Sequence, residues 1–284
     1  MVRDPSAQGV LYVVATPIGN LQDMSPRAVD TLRAVALVAA EDTRHTRKLC
    51  THFGIATPLL ALHEHNERTV CDRLLARLAA GESIALVSDA GTPLISDPGF
   101  VLVRAARAAG VRVVPIPGPS ALIAALSVSG LPVERFLFEG FLPTRQAARR
   151  QRLQALRGLE VTLVCYESSH RIEASIADMI DCLGATRAAV IARELTKTFE
   201  SVVAGPLAEL YDWLRASPDH RRGEFVVLVQ GLAPEPDALD DAARRTLEIL
   251  LGELPLKQAA ALAAAITGIA KNRLYEYGLA LKRS

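Results

Sequence analysis

The segment SDAGTPLISDPG, residues 88–99, places two acids, two glycines and two prolines directly after the apolar run Ile84–Val87. In an open parallel sheet, ligands bind beyond the carboxyl ends of the strands, so a loop of this composition is a candidate site. Asp89, Gly91 and Pro93 combine an acid, a flexible residue and a rigid one. An isolated acid and glycine of this kind more often form a capped turn before a helix, so the segment alone leaves both interpretations open.

Three other predicted strands of the same region end in comparable loops. They run into ATPIGN (15–20), AEDTR (40–44) and PGPS (117–120). Because the carboxyl ends of parallel strands lie along one edge of a sheet, these loops are expected to meet there. Their recurrence favours a shared ligand site. The chain contains neither GxGxxG nor GxxxxGK followed by Ser or Thr, so dinucleotide and P-loop sites lack their fingerprints.

Composition limits the class of protein that presents these loops. Of 284 residues, 50% are apolar, and 32 Lys and Arg nearly balance 31 Asp and Glu. Any nucleic-acid surface must therefore be local. The four cysteines form no CxxC pair, which indicates reduced thiols in a cytoplasmic protein, and no apolar run is long enough to span a membrane.

Alternating strand and helix patterns predict an α/β fold. Residues 9–117 are expected to form a mostly parallel, doubly wound domain, with Ser25 as the N-cap of its first helix. In residues 118–232 the strands follow one another more closely, which indicates antiparallel pairs within a mixed sheet. Helices are predicted there at 146–156, 169–182 and 206–216. After a Pro- and acid-rich linker, LAPEPDALDD (232–241), a helical extension is expected over 238–284, with a break at Thr267 and Gly268.

Seven segments together resemble one family. VATPIGNLQD, AEDTRHTRKL, VSDAGTPLISDPG, PIPGPSA, FEGFLP, YESSHRI and ARELTKTFE are similar, in order and register, to motifs of the ribosomal RNA small subunit methyltransferase I family, within the tetrapyrrole methylase superfamily. The resemblance runs from about Gly9 to the C-terminus. It implies a homodimer that needs no metal. It further implies that S-adenosylmethionine binds between two α/β domains and that the enzyme methylates a cytidine ribose 2'-hydroxyl in the decoding region of 16S rRNA, in the small ribosomal subunit.

The same resemblance assigns residues to the cofactor. They are Pro17, Gly19, Asp89, Gly91, Thr92, Gly118, Ser120, Tyr166 and Glu167. For Asp89 we expect a role as a ligand or as an organiser of its loop, and not as a nucleophile.

Methyl transfer to a hydroxyl needs alignment of the reacting atoms and is helped by a base. The candidate bases are Glu41, Asp42 and Glu194. Asp42 could equally be the N-cap of the following helix, and Glu194 could belong to a buried ion pair with a neighbouring cation. His63 and His65 in HEHNE lack a clear third ligand, so a metal site is not favoured there.

Basic residues suggest where RNA would bind. The segment TRQAARRQRLQALRG (144–158) carries five arginines and no acid, and from it we select Arg145, Arg149 and Arg150 as RNA contacts, together with Arg44 and Lys197. A solvated helix face is the alternative for such a run. The C-terminal helices, with Lys257, Lys271 and Arg273, resemble a helix-turn-helix in outline, but their apolar pattern fits simple packing as well.

Three other functions are compatible with parts of the sequence. DAGT resembles half of an aspartyl phosphatase signature, although the second acid is replaced by Ala90 and Gly91. A non-catalytic RNA-binding assembly factor would need only the basic segment. A carbon methyltransferase acting on a tetrapyrrole precursor is the alternative within the superfamily, and the basic segment and C-terminal helices favour RNA over it.

Overall fold

The computed structural model describes residues 8–232, 239 and 241–281. Contacts divide the chain into two compact units, Met1–Leu232 and Ala233–Ser284. None of the helices among the described residues has both the length and the apolar character needed to cross a bilayer.

Five parallel strands form the first sheet of the larger unit, in the order β3-β2-β4-β1-β5. The strands are β1 (Val10–Val14), β2 (Leu37–Ala40), β3 (Leu59–Ala61), β4 (Ile84–Val87) and β5 (Arg112–Ile116). Every residue of β2 and β4 is buried, as expected for a parallel sheet covered on both faces. The carboxyl ends of all five strands lie along one edge, which is called the carboxyl edge below.

Helices follow each of these strands. They are α1 (Pro26–Ala34), α2 (Thr43–His52), α3 (Glu67–Ala79), α4 (Phe100–Ala108) and α5 (Ala121–Val128). Ser25 caps α1 as predicted, since its hydroxyl accepts the Ala28 N–H at 3.1 Å. Helix α5 had no predicted counterpart, because its sequence ALIAALSV is apolar on all sides and lacks the helical period that would have revealed it.

The second sheet is mixed, which confirms the predicted fold class. Its order is β6-β7-β10-β8-β9, in which β6 and β7 are parallel and the other neighbours antiparallel. The strands are β6 (Phe136–Phe141), β7 (Thr162–Ser168), β8 (Ala188–Arg193), β9 (Ser201–Pro206) and β10 (Glu224–Val229). The predicted helices are present as α6 (Gln146–Leu156), α7 (Ile172–Leu183) and α8 (Leu207–Ala216).

A shared apolar cluster joins the two sheets. Ile18, from the loop after β1, and Leu122 of α5 pack with Val164, Val190 and Val226 of the second sheet. Burial of these side chains fixes the carboxyl edge of the first sheet against one face of the second.

The smaller unit is helical, as predicted, and its described residues form three helices. They are α9 (Asp241–Glu253), α10 (Leu256–Thr267) and α11 (Lys271–Leu281), packed around Leu247, Ala260 and Leu274. Gly268 ends α10 in the left-handed conformation at φ 75°, where a side chain would be strained. Most of the predicted linker, residues 233–238 and 240, and the end of the predicted extension, 282–284, lie outside the described residues.

Candidate active site

A cavity of about 410 Å³ lies between the carboxyl edge and the second sheet. One wall comes from loops of the first sheet and includes Glu41, residues 89–92 and Ser120. The other comes from β7, β8 and β10 and the loops that follow them, and includes Tyr166 and Lys197. This volume falls in the range of small-molecule sites.

Two reciprocal hydrogen bonds connect the loops after β2 and β4. The Asp42 N–H donates to Asp89 Oδ1 at 3.0 Å, and the Asp89 N–H donates to Glu41 Oε2 at 3.2 Å. Asp89 therefore organises these loops, which is one of the two roles predicted for it. Backbone N–H groups hold the carboxylates of Asp89 and Glu41 in place at the cavity. These side chains therefore lose little conformational entropy when a ligand binds.

The loop after β4 is also tied to the loops after β1 and β5. Thr16 exchanges both backbone hydrogen bonds with Gly91, at 2.8 and 3.0 Å, and Thr92 Oγ1 donates to the Pro119 carbonyl at 3.0 Å. Gly91 has a φ of 80°, which favours glycine. Because its backbone N–H and carbonyl are both bonded to Thr16, Gly91 shapes the cavity wall and presents no free backbone donor.

The predicted cofactor residues divide into two groups. Asp89, Gly91, Thr92, Ser120, Tyr166 and Glu167 line the cavity, whereas Pro17, Gly19 and Gly118 do not. Gly19 is a point of close approach, since a Cβ there would overlap Lys197 Cγ. A Cβ on Gly118 would lie 3.0 Å from Ala15 Cβ. These two glycines therefore allow the loops to pack closely behind the cavity.

Tyr166 and Glu167 occupy different environments at the end of β7. The Tyr166 hydroxyl accepts the Leu122 N–H at 3.1 Å, which links β7 to the first turn of α5. Glu167 is 3% exposed, and its carboxylate accepts from Ser175 Oγ at 2.6 Å and from the Ser168 N–H at 2.8 Å. The Glu167 carboxylate is thus engaged in the β7–α7 turn, and because Glu167 also lines the cavity, its assignment to the cofactor stays a prediction.

Asp97 is a cavity residue that sequence reasoning missed. Burial raises its pKa to about 6, the charges of Glu41 and Asp89 reinforce the shift, and a hydrogen bond with Ser88 opposes it. Leu94 and Ser96, on either side of Ile95, both adopt left-handed backbone at φ 74° and 68°. Such strain in residues other than glycine is concentrated at functional sites. The second acid of SDAGTPLISDPG was the available signal.

The three predicted bases are not equivalent. Burial raises the pKa of Glu41, and the neighbouring charge of Asp89 adds to the effect, against the Asp89 N–H hydrogen bond. Asp42 instead caps α2, accepting the Arg44 N–H at 2.8 Å, and the hydrogen bond from the Arg44 side chain lowers its pKa strongly. The N-cap interpretation of Asp42 is therefore correct, and its depressed basicity contradicts a role as general base.

Glu194 is likewise unsuited to act as a base. It does not line the cavity, and its Oε1 lies 2.8 Å from Lys197 Nζ. Burial acts to raise the pKa of Glu194, but hydrogen bonds from Lys197 and the Glu224 N–H outweigh it and lower the pKa. The ion-pair alternative is correct for Glu194, and Lys197 is neutralised by both Glu194 and Glu224.

The arginines predicted to contact RNA are mostly paired. Arg149 is 4% exposed, and its Nε donates to Asp178 Oδ2 at 2.7 Å, so its assignment as an RNA contact is wrong. Arg150 pairs with Asp181 at 2.8 Å. Arg145 and Arg44 are both exposed, and Arg44 is also bonded to Asp42. Segment 144–158 contains no acid itself, but acids from another part of the chain pair with two of its arginines.

His63 and His65 form an edge-to-face ring pair with centroids 6.0 Å apart. Within the described parts of the chain, no three His, Cys, Asp or Glu side chains are grouped so that they could hold a metal ion.

Two family models match the sequence. The model described as Tetrapyrrole (Corrin/Porphyrin) Methylases matches residues 10–211, and the model of the RsmI C-terminal HTH domain matches residues 237–282. Ribosomal RNA small subunit methyltransferase I from Pseudomonas aeruginosa is 61% identical over 273 residues, which is 95% of this chain and 97% of the relative. The protein of the same name from Escherichia coli O157:H7 is 53% identical over 96% of both chains.

Solved structures show the same fold at low sequence identity. The methyltransferase CobJ is 21% identical with a TM-score of 0.58, over 79% of this chain and 95% of that chain. Diphthine synthase is 18% identical with a TM-score of 0.57, over 78% of this chain and 89% of that chain.

Proposed function

The chain belongs to the tetrapyrrole methylase family, and from this premise we propose that it transfers the methyl group of S-adenosylmethionine to the 2'-hydroxyl of a cytidine ribose in 16S rRNA of the small ribosomal subunit. Relatives named ribosomal RNA small subunit methyltransferase I match nearly the whole chain, including its C-terminal region. The structural observation that carries the proposal is the cavity at the carboxyl edge, with Glu41, Asp89 and Asp97 in its wall.

The cavity residues fit the cofactor in size and chemistry. A volume of about 410 Å³ suits a nucleoside with an amino-acid tail. Carboxylates are acceptors for ribose hydroxyls and for an ammonium group, and apolar side chains such as Ile18, Ile95 and Leu195 can cover a base. When bound, S-adenosylmethionine supplies a methyl group activated by the positive charge on its sulfur.

Asp97 is the group best placed to accept the proton of the attacking hydroxyl. It lines the same cavity as Tyr166, and its pKa of about 6 leaves it ionised at neutral pH yet more basic than an ordinary aspartate. Glu41 has a raised pKa as well, but its Oε2 already accepts the Asp89 N–H. In this arrangement Glu41 and Asp89 hold the loops, and Asp97 takes the proton.

RNA phosphates would be bound outside the cavity by basic side chains. Arg44 and Arg145 keep this proposed role because both are exposed, whereas Arg149 is excluded by its burial. The proposal also includes a homodimer and a cytoplasmic location, where ribosomal subunits are found, in keeping with the family resemblance.

The three alternative functions differ from the proposed one in what the cavity has to do. An aspartyl phosphatase would use Asp89 as a nucleophile, but Asp89 Oδ1 already accepts the Asp42 N–H. A non-catalytic assembly factor would not need a cofactor-sized cavity. Carbon methylation of a tetrapyrrole would use the same cofactor, so only the acceptor distinguishes it.

A transfer assay with three acceptors tests the proposal. The protein is incubated with S-adenosylmethionine carrying a labelled methyl group and, separately, with small ribosomal subunits from cells lacking this gene, free 16S rRNA and uroporphyrinogen III. Label in RNA, on subunits or free, supports the proposal. Label in the tetrapyrrole alone would overturn it in favour of carbon methylation, and cofactor binding absent by calorimetry would overturn it in favour of an assembly factor.

A further inference from the structure

Helix α2 carries a basic face that the cavity chemistry does not use. Arg44, Arg47, Lys48 and Thr51 are spaced by three and four residues, so they lie on one side of the helix, and all four are exposed. The opposite side, which includes Leu49, is buried in the first sheet's core. Residues 43–52 contain no acid. The orientation of α2 is therefore fixed by its apolar side, and its cations point to solvent.

These cations remain largely available. Arg44 pairs with Asp42, yet its side chain is 89% exposed, so its guanidinium group stays accessible to a ligand. Within the described chain, Arg47 and Lys48 form no ion pair with a carboxylate. The face encloses a shallow depression of about 670 Å³, lined by Thr43, Arg44, Arg47, Lys48, Thr51 and His52.

Helix α6, which also carries three cations and no acid, differs in this respect. Arg149 and Arg150 are paired with acids of α7, and Arg152 makes two hydrogen bonds to Glu139 at 2.7 and 2.8 Å. Acids therefore offset the field of α6 at close range, whereas on α2 only Arg44 is paired in this way among the described residues.

The basic face also adjoins the cavity. Helix α2 begins two residues after Glu41, which lines the cavity, and the N–H of its N-cap Asp42 is bonded to Asp89, another lining residue. Arg44 lies in the first turn and Arg47 one turn further from the carboxyl edge. The N-terminal end of the helix adds a partial positive charge on the same side. If one unit of a polyanion entered the cavity, the adjacent units of the same chain would lie near this face.

We propose that the α2 basic face, formed by Arg44, Arg47 and Lys48, binds backbone phosphates of the RNA strand next to the nucleotide that enters the cavity. The inference rests on the proposed function and specifies where its substrate is held. Guanidinium and ammonium groups form charge-assisted hydrogen bonds with phosphate oxygens, and such contacts position the RNA without reading its sequence.

The test compares two double variants with the same charge change. R47A/K48A removes two cations from α2, and R104A/R107A removes two exposed cations from the last half of α4. Because α4 runs back from the carboxyl edge, Arg104 and Arg107 lie towards the opposite edge of the sheet. The swap R47K/K48R keeps both charges on α2 and serves as a rescue.

Each variant is assayed with small ribosomal subunits from cells lacking the gene, and KM for subunits, kcat, salt dependence and cofactor affinity are measured. For R47A/K48A we expect KM to rise about ten-fold or more, with cofactor affinity and kcat near those of the original protein. The slope of log affinity against log salt should fall by about 1.4, since each lost contact to a single strand contributes about 0.7. R104A/R107A and R47K/K48R should behave like the unmodified protein.

Two results would overturn the inference. One is an unchanged KM and salt slope for R47A/K48A, and the other is an equal loss in R104A/R107A, which would indicate a response to net charge alone. Failure of the unmodified protein to methylate both subunits and free 16S rRNA would instead refute the proposed function. Circular-dichroism melts of all variants are expected to coincide, because the altered side chains are exposed.

Discussion

The ion pair between Arg149 and Asp178 allows a direct test of whether Arg149 stabilises the fold or binds RNA. Their side chains are 5% and 1% exposed, and two guanidinium nitrogens lie 2.6 and 2.7 Å from Asp178 Oδ2. Replacing Arg149 by Ala leaves this carboxylate buried without its main partner. We therefore expect Arg149→Ala to destabilise the larger unit strongly.

The expected loss is about 3 kcal/mol, at the lower end of the roughly 3–5 kcal/mol typical of a broken buried pair. Two weaker partners remain, since Gln146 Nε2 and Arg150 Nη1 lie 3.0 and 3.5 Å from Asp178 Oδ1. For a unit of this size such a loss lowers the melting temperature by about 6–12 °C.

The assay is thermal and urea unfolding of Arg149→Ala beside the double variant R149M/D178L. The double variant removes both charges and keeps most of the volume, so its stability should lie within about 1 kcal/mol of the original. Binding to small ribosomal subunits should be unchanged for the double variant. Normal stability of Arg149→Ala combined with weaker subunit binding would refute the structural role and restore the RNA assignment.

Further predictions concern the cavity and the loops beside it. Asp97→Asn should lower kcat at least about 100-fold. Because the ionised form of Asp97 is the acceptor, activity of the original protein should fall as the pH drops below about 6, and a pH–rate profile without this acidic limb would contradict the role. Asp42→Ala should retain methyl transfer and lower the melting temperature by about 2–4 °C, as expected for a lost N-cap, whereas loss of turnover with normal cofactor binding would reinstate Asp42 as a base. Gly91→Ala should cost about 1–2 kcal/mol because of its positive φ, measurable by urea unfolding, and an unchanged midpoint would argue against the described turn.

The sequence was sufficient for the features that depend on local patterns. Strand and helix periodicity predicted both sheets, and Ser25 followed by Pro26 marked the start of α1. The loops after β1, β2, β4 and β5 were expected to meet because parallel strands share a carboxyl edge, and the hydrogen bonds between Asp42, Asp89 and Glu41 show that neighbouring loops do so.

Features that depend on distant partners were not predictable in this way. The acids that neutralise Arg149 and Arg150 lie 29 and 31 residues further along the chain, so the segment 144–158 looked unpaired. The basicity of Asp97 arises from burial and from Glu41 on another loop. Likewise, the flexibility of Gly91 could be recognised from its residue type. Its backbone hydrogen bonds to Thr16 could not, because they depend on the pairing of two loops that are distant in sequence.

The most direct test of the central claim is the chemical identity of the methylated product. Small subunits from cells lacking this gene are incubated with the protein and S-adenosylmethionine carrying a labelled methyl group, and the 16S rRNA is then digested, mapped and analysed by mass spectrometry. The account predicts one labelled fragment, in the decoding region, that yields 2'-O-methylcytidine and loses its label with Asp97→Asn. Label on a base carbon or nitrogen, or no label in RNA despite cofactor binding, would contradict it.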